Sequence, residues 1–182
     1  NNLDEITIPN SVKEIGYQAF YNSSISGITM PTSLKRITAY AFAGCSNLRE
    51  VIIPNSVVNM GGHAFHNCSS LIDASISNSL TTISDYAFNS CSSLTSIVIP
   101  NSVISIGRSA FSETGLTSIV IPTSVTSIGQ TAFSYCSQLQ NVTIGNNVNI
   151  IGSSAFLYCR ALTSVIIPNS VNTIEYGAFK TC

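Results

Sequence analysis

The amino-acid sequence predicts a β-rich repeat solenoid, and three observations carry that prediction. Eight phenylalanines fall at Phe20, Phe42, Phe65, Phe88, Phe111, Phe133, Phe156 and Phe179, spaced 22 or 23 residues apart. Each follows an alanine, and all six cysteines (Cys45, Cys68, Cys91, Cys136, Cys159 and Cys182) stand three residues beyond one of these phenylalanines. All six prolines close a short alternating apolar run at one fixed place in the repeat. A fixed period of roughly 20–50 residues marks a chain wound into stacked coils, each too small to bury its own apolar face. Residues 1–182 therefore read as a single array of eight 22–23-residue repeats.

The first element of each repeat is a short strand. In the clearest copy, LTSIVIPNSVISIGRSAF from Leu94 to Phe111, Ile97 and Ile99 alternate with an outward Val98. The same alternation appears as Val51/Ile53, Ile119/Ile121, Val142/Ile144 and Val165/Ile167, as burial of one strand face requires. Proline holds the residue before it extended and offers no ladder donor, so the strand ends there. Ser77 and Gly145 replace it in two repeats, so the corner needs a turn more than it needs the ring.

Beyond the corner, Val103/Ile106 and Val125/Ile128 point inward again, consistent with a second short extended segment. Glycine follows in five repeats (Gly16, Gly61, Gly107, Gly129, Gly152), but Thr38, Ser84 and Glu175 stand at the same place in the others. A left-handed backbone is therefore not required at that corner. The Ala-Phe segment is expected to be a turn, a 3₁₀ segment or a short helix. Stacking then places the phenylalanines in one internal spine and the cysteines in a second ladder beside it.

Ser23 and Thr114 replace the cysteine in the two repeats whose next loop is one residue shorter. This pairing suggests that the shorter loop removes an inward slot and that cysteine serves as a small buried hydrophobe. Adjacent equivalents about 5 Å apart could in principle be bridged, although free thiols are the expectation for a packed ladder.

The repeated phrase resembles the BspA-like leucine-rich repeat, which runs much like LxxIxIPxSVxxIGxxAFxxC, and the resemblance covers all eight copies. It implies a right-handed leucine-rich repeat with one parallel sheet on the concave face and short turns or 3₁₀ segments on the other side. It also implies a cell-surface or secreted adhesin that binds host or extracellular matrix protein. The usual asparagine nine places into the repeat is serine here at Ser11, Ser33, Ser56, Ser79, Ser102, Ser124 and Ser170, and asparagine once, at Asn147. A hydroxyl ladder satisfying corner carbonyls is expected instead. The two 91-residue halves keep their short loops and cysteines in register, consistent with duplication of a four-repeat block. The chain starts and stops in phase without a distinct cap, so a piece of a longer array is expected.

Composition narrows the function classes. Charged residues make up 8% of the chain, the net charge is -1, and no charged residue lies between Glu113 and Arg160. This leaves no basic footprint for nucleic acid, and no apolar run approaches the ~18 residues of a membrane span. GGHAFHNC brings His63, His66 and Cys68 together, but the histidines occupy variable positions, Cys68 is one rung of the cysteine ladder, and zinc would want a fourth and usually a third strong ligand. No cofactor, metal or catalytic set is expected, and the chain reads as non-enzymatic. Asn22, Asn67 and Asn141 begin glycosylation triplets, which chance also produces in a chain this rich in Asn, Ser and Thr. All seven tyrosines lie within three residues of a phenylalanine, where they cover the outer turn.

The outward strand positions are the candidate partner surface. Thr29, Ile52, Val98, Val120, Thr143 and Ile166 belong to it, four of them aliphatic in an otherwise polar sheet. Such a stripe suits a protein ligand, while β-propensity alone would also place Thr, Val and Ile there. A passive spacer carrying another domain is the alternative function.

Overall fold

The structure is a computed structural model that describes residues 4–182. In chain order the strands are β1 (Glu5–Thr7), β2 (Glu14–Ile15), β3 (Gly27–Thr29), β4 (Arg36–Ile37), β5 (Glu50–Ile52), β6 (Asn59–Met60) and β7 (Asp73–Ser75). There follow β8 (Thr82–Ile83), β9 (Ser105–Ile106), β10 (Ser118–Val120), β11 (Ser127–Ile128), β12 (Asn141–Thr143), β13 (Ile150–Ile151) and β14 (Thr173–Ile174). Every pairing is parallel, and partners sit 22 or 23 residues apart in sequence, so each coil lays its strands against their own equivalents.

Two strand tracks run along the β-solenoid. The three-residue strands before the proline corner pair as β1–β3, β5–β7 and β10–β12. The two-residue strands after the corner form the longer ladders β2–β4–β6 and β8–β9–β11–β13–β14, so the short extended segment read after Val103 and Val125 is a second ladder. At the junction between β6 and β8 the Ser84 hydroxyl donates to the Met60 carbonyl. It replaces the backbone donor that serves the same carbonyl elsewhere, as when Gly107 N–H reaches Ile83 at 2.8 Å.

The third side is built from turns, with no helix among the described residues. Each repeat holds two left-handed residues, two places before and two places after its phenylalanine. Fourteen of them are not glycine, and their φ lies between 49° and 61°. Such a conformation costs roughly 1–3 kcal/mol per residue and persists only where the surroundings enforce it. Here the enforcement is a hydrogen bond. In the first seven repeats the N–H of each left-handed residue is turned toward the next coil, as in Tyr86 to the Arg108 carbonyl and Ser90 to Ser112, both 2.8 Å. Between them each phenylalanine N–H reaches the next alanine carbonyl, from Phe20 with Ala41 to Phe156 with Ala178, at 2.7–2.9 Å. Intervening residues close turns three residues back, as in Ala87 to Ser84 at 3.2 Å.

Inside this three-sided coil the phenylalanine rings form one row. Neighbouring centroids are 5.1–5.7 Å apart and nearly coplanar in tilt, from Phe20 to Phe179, an offset-stacked geometry. Phe42 through Phe156 are wholly buried, together with their alanines, Ile25 and the repeat-opening leucines from Leu48 to Leu139. The corner glycines keep negative φ, and Gly61, Gly107, Gly129 and Gly152 serve close approach instead. A Cβ on Gly129 would stand 2.7 Å from the backbone of Gly107 in the coil below.

Candidate interaction surface on the strand face

The cysteines lie beside the phenylalanine row, free and buried except for Cys182. Each thiol donates to the phenylalanine carbonyl of the preceding repeat at 3.0–3.2 Å, from Cys45 with Phe20 to Cys182 with Phe156. That carbonyl also accepts the N–H of its own repeat's cysteine, as Phe65 does from Cys68 at 3.3 Å. Cysteine here is therefore a donor as well as a small hydrophobe. Burial pushes the Cys91 thiol up to about 12 and the Cys136 thiol up to about 11, the opposite of the depressed pKa that reactive thiols need.

The missing-cysteine repeats correct the expectation of a lost slot. Thr114 is buried, and its Oγ1 donates to Phe111 O at 2.8 Å and meets Cys136 Sγ at 3.1 Å. Ser23 Oγ likewise meets Cys45 Sγ at 3.3 Å. The shorter loop keeps the inward position and fills it with a hydroxyl.

At the corner, Ser33, Ser79, Ser102 and Ser170 each donate to a carbonyl of the preceding coil at 2.7 Å. Ser56 and Ser124 are buried there without a partner, so the hydroxyl ladder is incomplete. On the outer turn, His63 is stacked between Tyr40 at 4.3 Å and Tyr86 at 4.5 Å. Its pKa is lowered, chiefly by desolvation and then by His66, while Asp85 opposes the shift. His66 lies edge-on to it at 5.7 Å, and Cys68 is committed to the Phe42 carbonyl. Among the described residues no three His, Cys, Asp or Glu side chains are placed to hold a metal ion, and no helix is long and apolar enough to cross a membrane.

The strand face is where the molecule leaves a hollow. It has a volume of about 1020 Å³ and is floored by the outward faces of strands from Asp73 to Thr143. Val98 and Val120 line it, and they are 81% and 62% exposed. Thr143 lies at its far end and again in an adjoining hollow of about 230 Å³ that includes Ile166, 87% exposed. Ile52 and Thr29 are exposed on the same face, one and two coils further back than Ser75. Asn55, Asn78, Asn101, Thr123 and Asn146, each just past a corner, form one rim.

Beneath the hollow the strand ladder is interrupted. Residues 96–98 and 164–166 occupy strand positions but do not pair, and the amides of Ser96, Ile97 and Val98 make no backbone hydrogen bond. Ile97 is half-buried, as are its equivalents Ile28 and Val142 in paired strands, and it packs against the core, so the interruption lies in the backbone pairing and not in the packing. Nothing in the residue pattern marks the interruption, because SIV is as good a strand as its neighbours and pairs at Ser118–Val120.

Comparison with known proteins places this architecture. A profile of the BspA type leucine rich repeat region, in six copies, matches residues 1–91 and 61–182. No curated protein sequence matches the chain. Among solved structures, the leucine rich repeat protein of T. pallidum is 30% identical with a TM-score of 0.79, over 88% of this chain and 78% of that one. The pneumococcal vaccine antigen PcpA is 25% identical with a TM-score of 0.68, over 97% of this chain and 53% of that one. A leucine-rich repeat protein from Eubacterium ventriosum is 25% identical with a TM-score of 0.65, over 97% of this chain. This chain spans 42% of the length of that protein. With the repeat phrase, the parallel coil and the profile in agreement along its length, the chain belongs to the BspA-type leucine-rich repeat family.

Proposed function

We propose that this chain is a non-enzymatic protein-interaction module whose strand face receives a protein partner, as part of a cell-surface or secreted adhesin directed at host or extracellular matrix protein. The observation that carries the reading is the exposure of Val98, Val120 and Ile166 along one hollow face. Apolar side chains left in water around a concavity gain from being covered, and the surrounding Ser, Thr and Asn side chains suit a polar rim. Membership of the family and likeness to a vaccine antigen support the surface location, since a useful antigen must be reachable by antibody. The buried, high-pKa thiols and the stacked histidine support the absence of catalysis.

Binding of the chain to a panel of immobilised matrix and host-surface proteins tests the reading. The double substitution Val98→Lys, Val120→Lys is expected to abolish capture while leaving stability within about 0.5 kcal/mol, because both side chains stand in solvent. A chain that captures nothing from the panel, and whose substitutions change nothing, would be a spacer.

A further inference from the structure

The hollow is chemically lopsided along the array. On the strand face two outward columns run from coil to coil. The column holding Ile52, Ser75, Val98, Val120, Thr143 and Ile166 is mainly apolar, and the column beside it reads Glu50, Asp73, Ser96, Ser118, Asn141, Ser164. Asp73 lines one end of the hollow, and Glu50 stands directly opposite it on the paired strand. Both are exposed, and the Arg36–Glu14 contact is the only ion pair among the described residues, so neither carboxylate has a cationic partner among them. Like charges in directly opposed strand positions disfavour each other. The rest of the hollow is uncharged.

Resting on the interaction reading above, we infer that the hollow takes an extended polypeptide segment lying along the array axis. Its cationic end, carrying Lys or Arg, sits over Glu50 and Asp73, and its apolar stretch covers Val98 and Val120. Charge complementarity selects this occupant. The carboxylates repel a phosphate backbone, and no aromatic ring is among the lining residues to stack a base or a sugar. Along the rim, the carboxamides of Asn78 and Asn101 make no side-chain hydrogen bond among the described residues and are available to a peptide backbone. Coils repeat at about 4.8 Å, so Glu50 and Val120, three coils apart, are spanned by about four extended residues. The segment therefore carries two basic residues followed within about four positions by apolar ones.

Fluorescence anisotropy with labelled synthetic peptides tests this. The probe holds two lysines, two serines and three valines in that order within a Ser/Thr background, and control peptides replace the lysines by glutamate or the valines by serine. The lysine peptide is expected to bind at least about tenfold more tightly than the glutamate peptide at low salt, with the difference shrinking as salt screens it. Glu50→Gln with Asp73→Asn should remove that preference and its salt dependence while leaving the circular dichroism spectrum unchanged. Equal binding of lysine and glutamate peptides, an unaltered preference in the double variant, or no binding of the lysine peptide up to about 1 mM would each overturn the inference. The Val98→Lys, Val120→Lys pair tested on whole proteins would still decide separately whether the face binds a partner at all.

Discussion

On the turn side of the coil, phenylalanine amides reach the next repeat at every junction from Phe20 to Phe156, each at 2.7–2.9 Å. On the strand side, the three-residue segments pair only as β1–β3, β5–β7 and β10–β12, and the stretch around Ile97 is unpaired on both flanks. The same chain, repeating the same phrase, thus makes one continuous seam and one interrupted seam. The continuous seam coincides with the stacked rings and the thiol bonds, and the interrupted one with the hollow. Cohesion between coils is concentrated where side chains and backbone agree, which leaves the opposite face free to carry variable residues.

The largest effect should come from breaking the ring row. Phe88→Ala removes a wholly buried ring stacked on both sides and is expected to lower the unfolding free energy by about 3–5 kcal/mol in a urea titration. Ile97→Ala on the interrupted seam should cost less, about 2 kcal/mol by the same measurement, since that side chain is only partly buried at the edge of the core.

Alkaline pH gives the next effect. The ordinary thiol value is 9.0, and burial raises Cys91 to about 12 and Cys136 to about 11. Above pH 9 the unfolded chain releases these protons while the folded chain keeps them. Stability is therefore full below pH 9 and falls as pH rises toward the folded values, by about 1.4 kcal/mol per pH unit for each such thiol. Urea midpoints measured at pH 8 and pH 10 check this, and a Cys91→Ser, Cys136→Ser chain should lose the part that these two thiols contribute, the rest remaining with Cys45, Cys68, Cys159 and Cys182, which burial also raises. A smaller loss is expected for Ser84→Ala, which leaves the Met60 carbonyl without the hydroxyl that replaces a ladder bond. About 1–2 kcal/mol is expected, and Ser84→Thr should recover part of it.

Much of this arrangement was legible in the sequence. The invariant Ala-Phe pair and its 22- or 23-residue spacing dictate that like stacks on like, and Pro54 or Pro100 mark where the strand must stop. The second ladder was visible in the inward pairs Val103/Ile106 and Val125/Ile128. What stayed hidden has physical causes. The left-handed residues include Gln18, Tyr40, Tyr86 and Thr131, residue types that carry no turn signature, because an inter-coil hydrogen bond and not local preference holds them there. Thr114 misled the reading of the shorter loop, since a hydroxyl can occupy an inward slot when a carbonyl such as Phe111 O awaits it. The interruption at 96–98 is not encoded in alternation along one strand, since the same Ser-Ile-Val at 118–120 does pair. The exposed Val98 and Val120 were legible as outward residues, whereas the hollow around them and the carboxylates at its end are properties of the stack.

Native-state amide hydrogen exchange tests the contrast between the two seams most directly. The amides of Phe65, Phe88 and Phe111 should exchange only through global unfolding, while those of Ser96, Ile97 and Val98 should exchange orders of magnitude faster through local opening. Equal protection of the two sets, or faster exchange at the phenylalanines, would contradict the account.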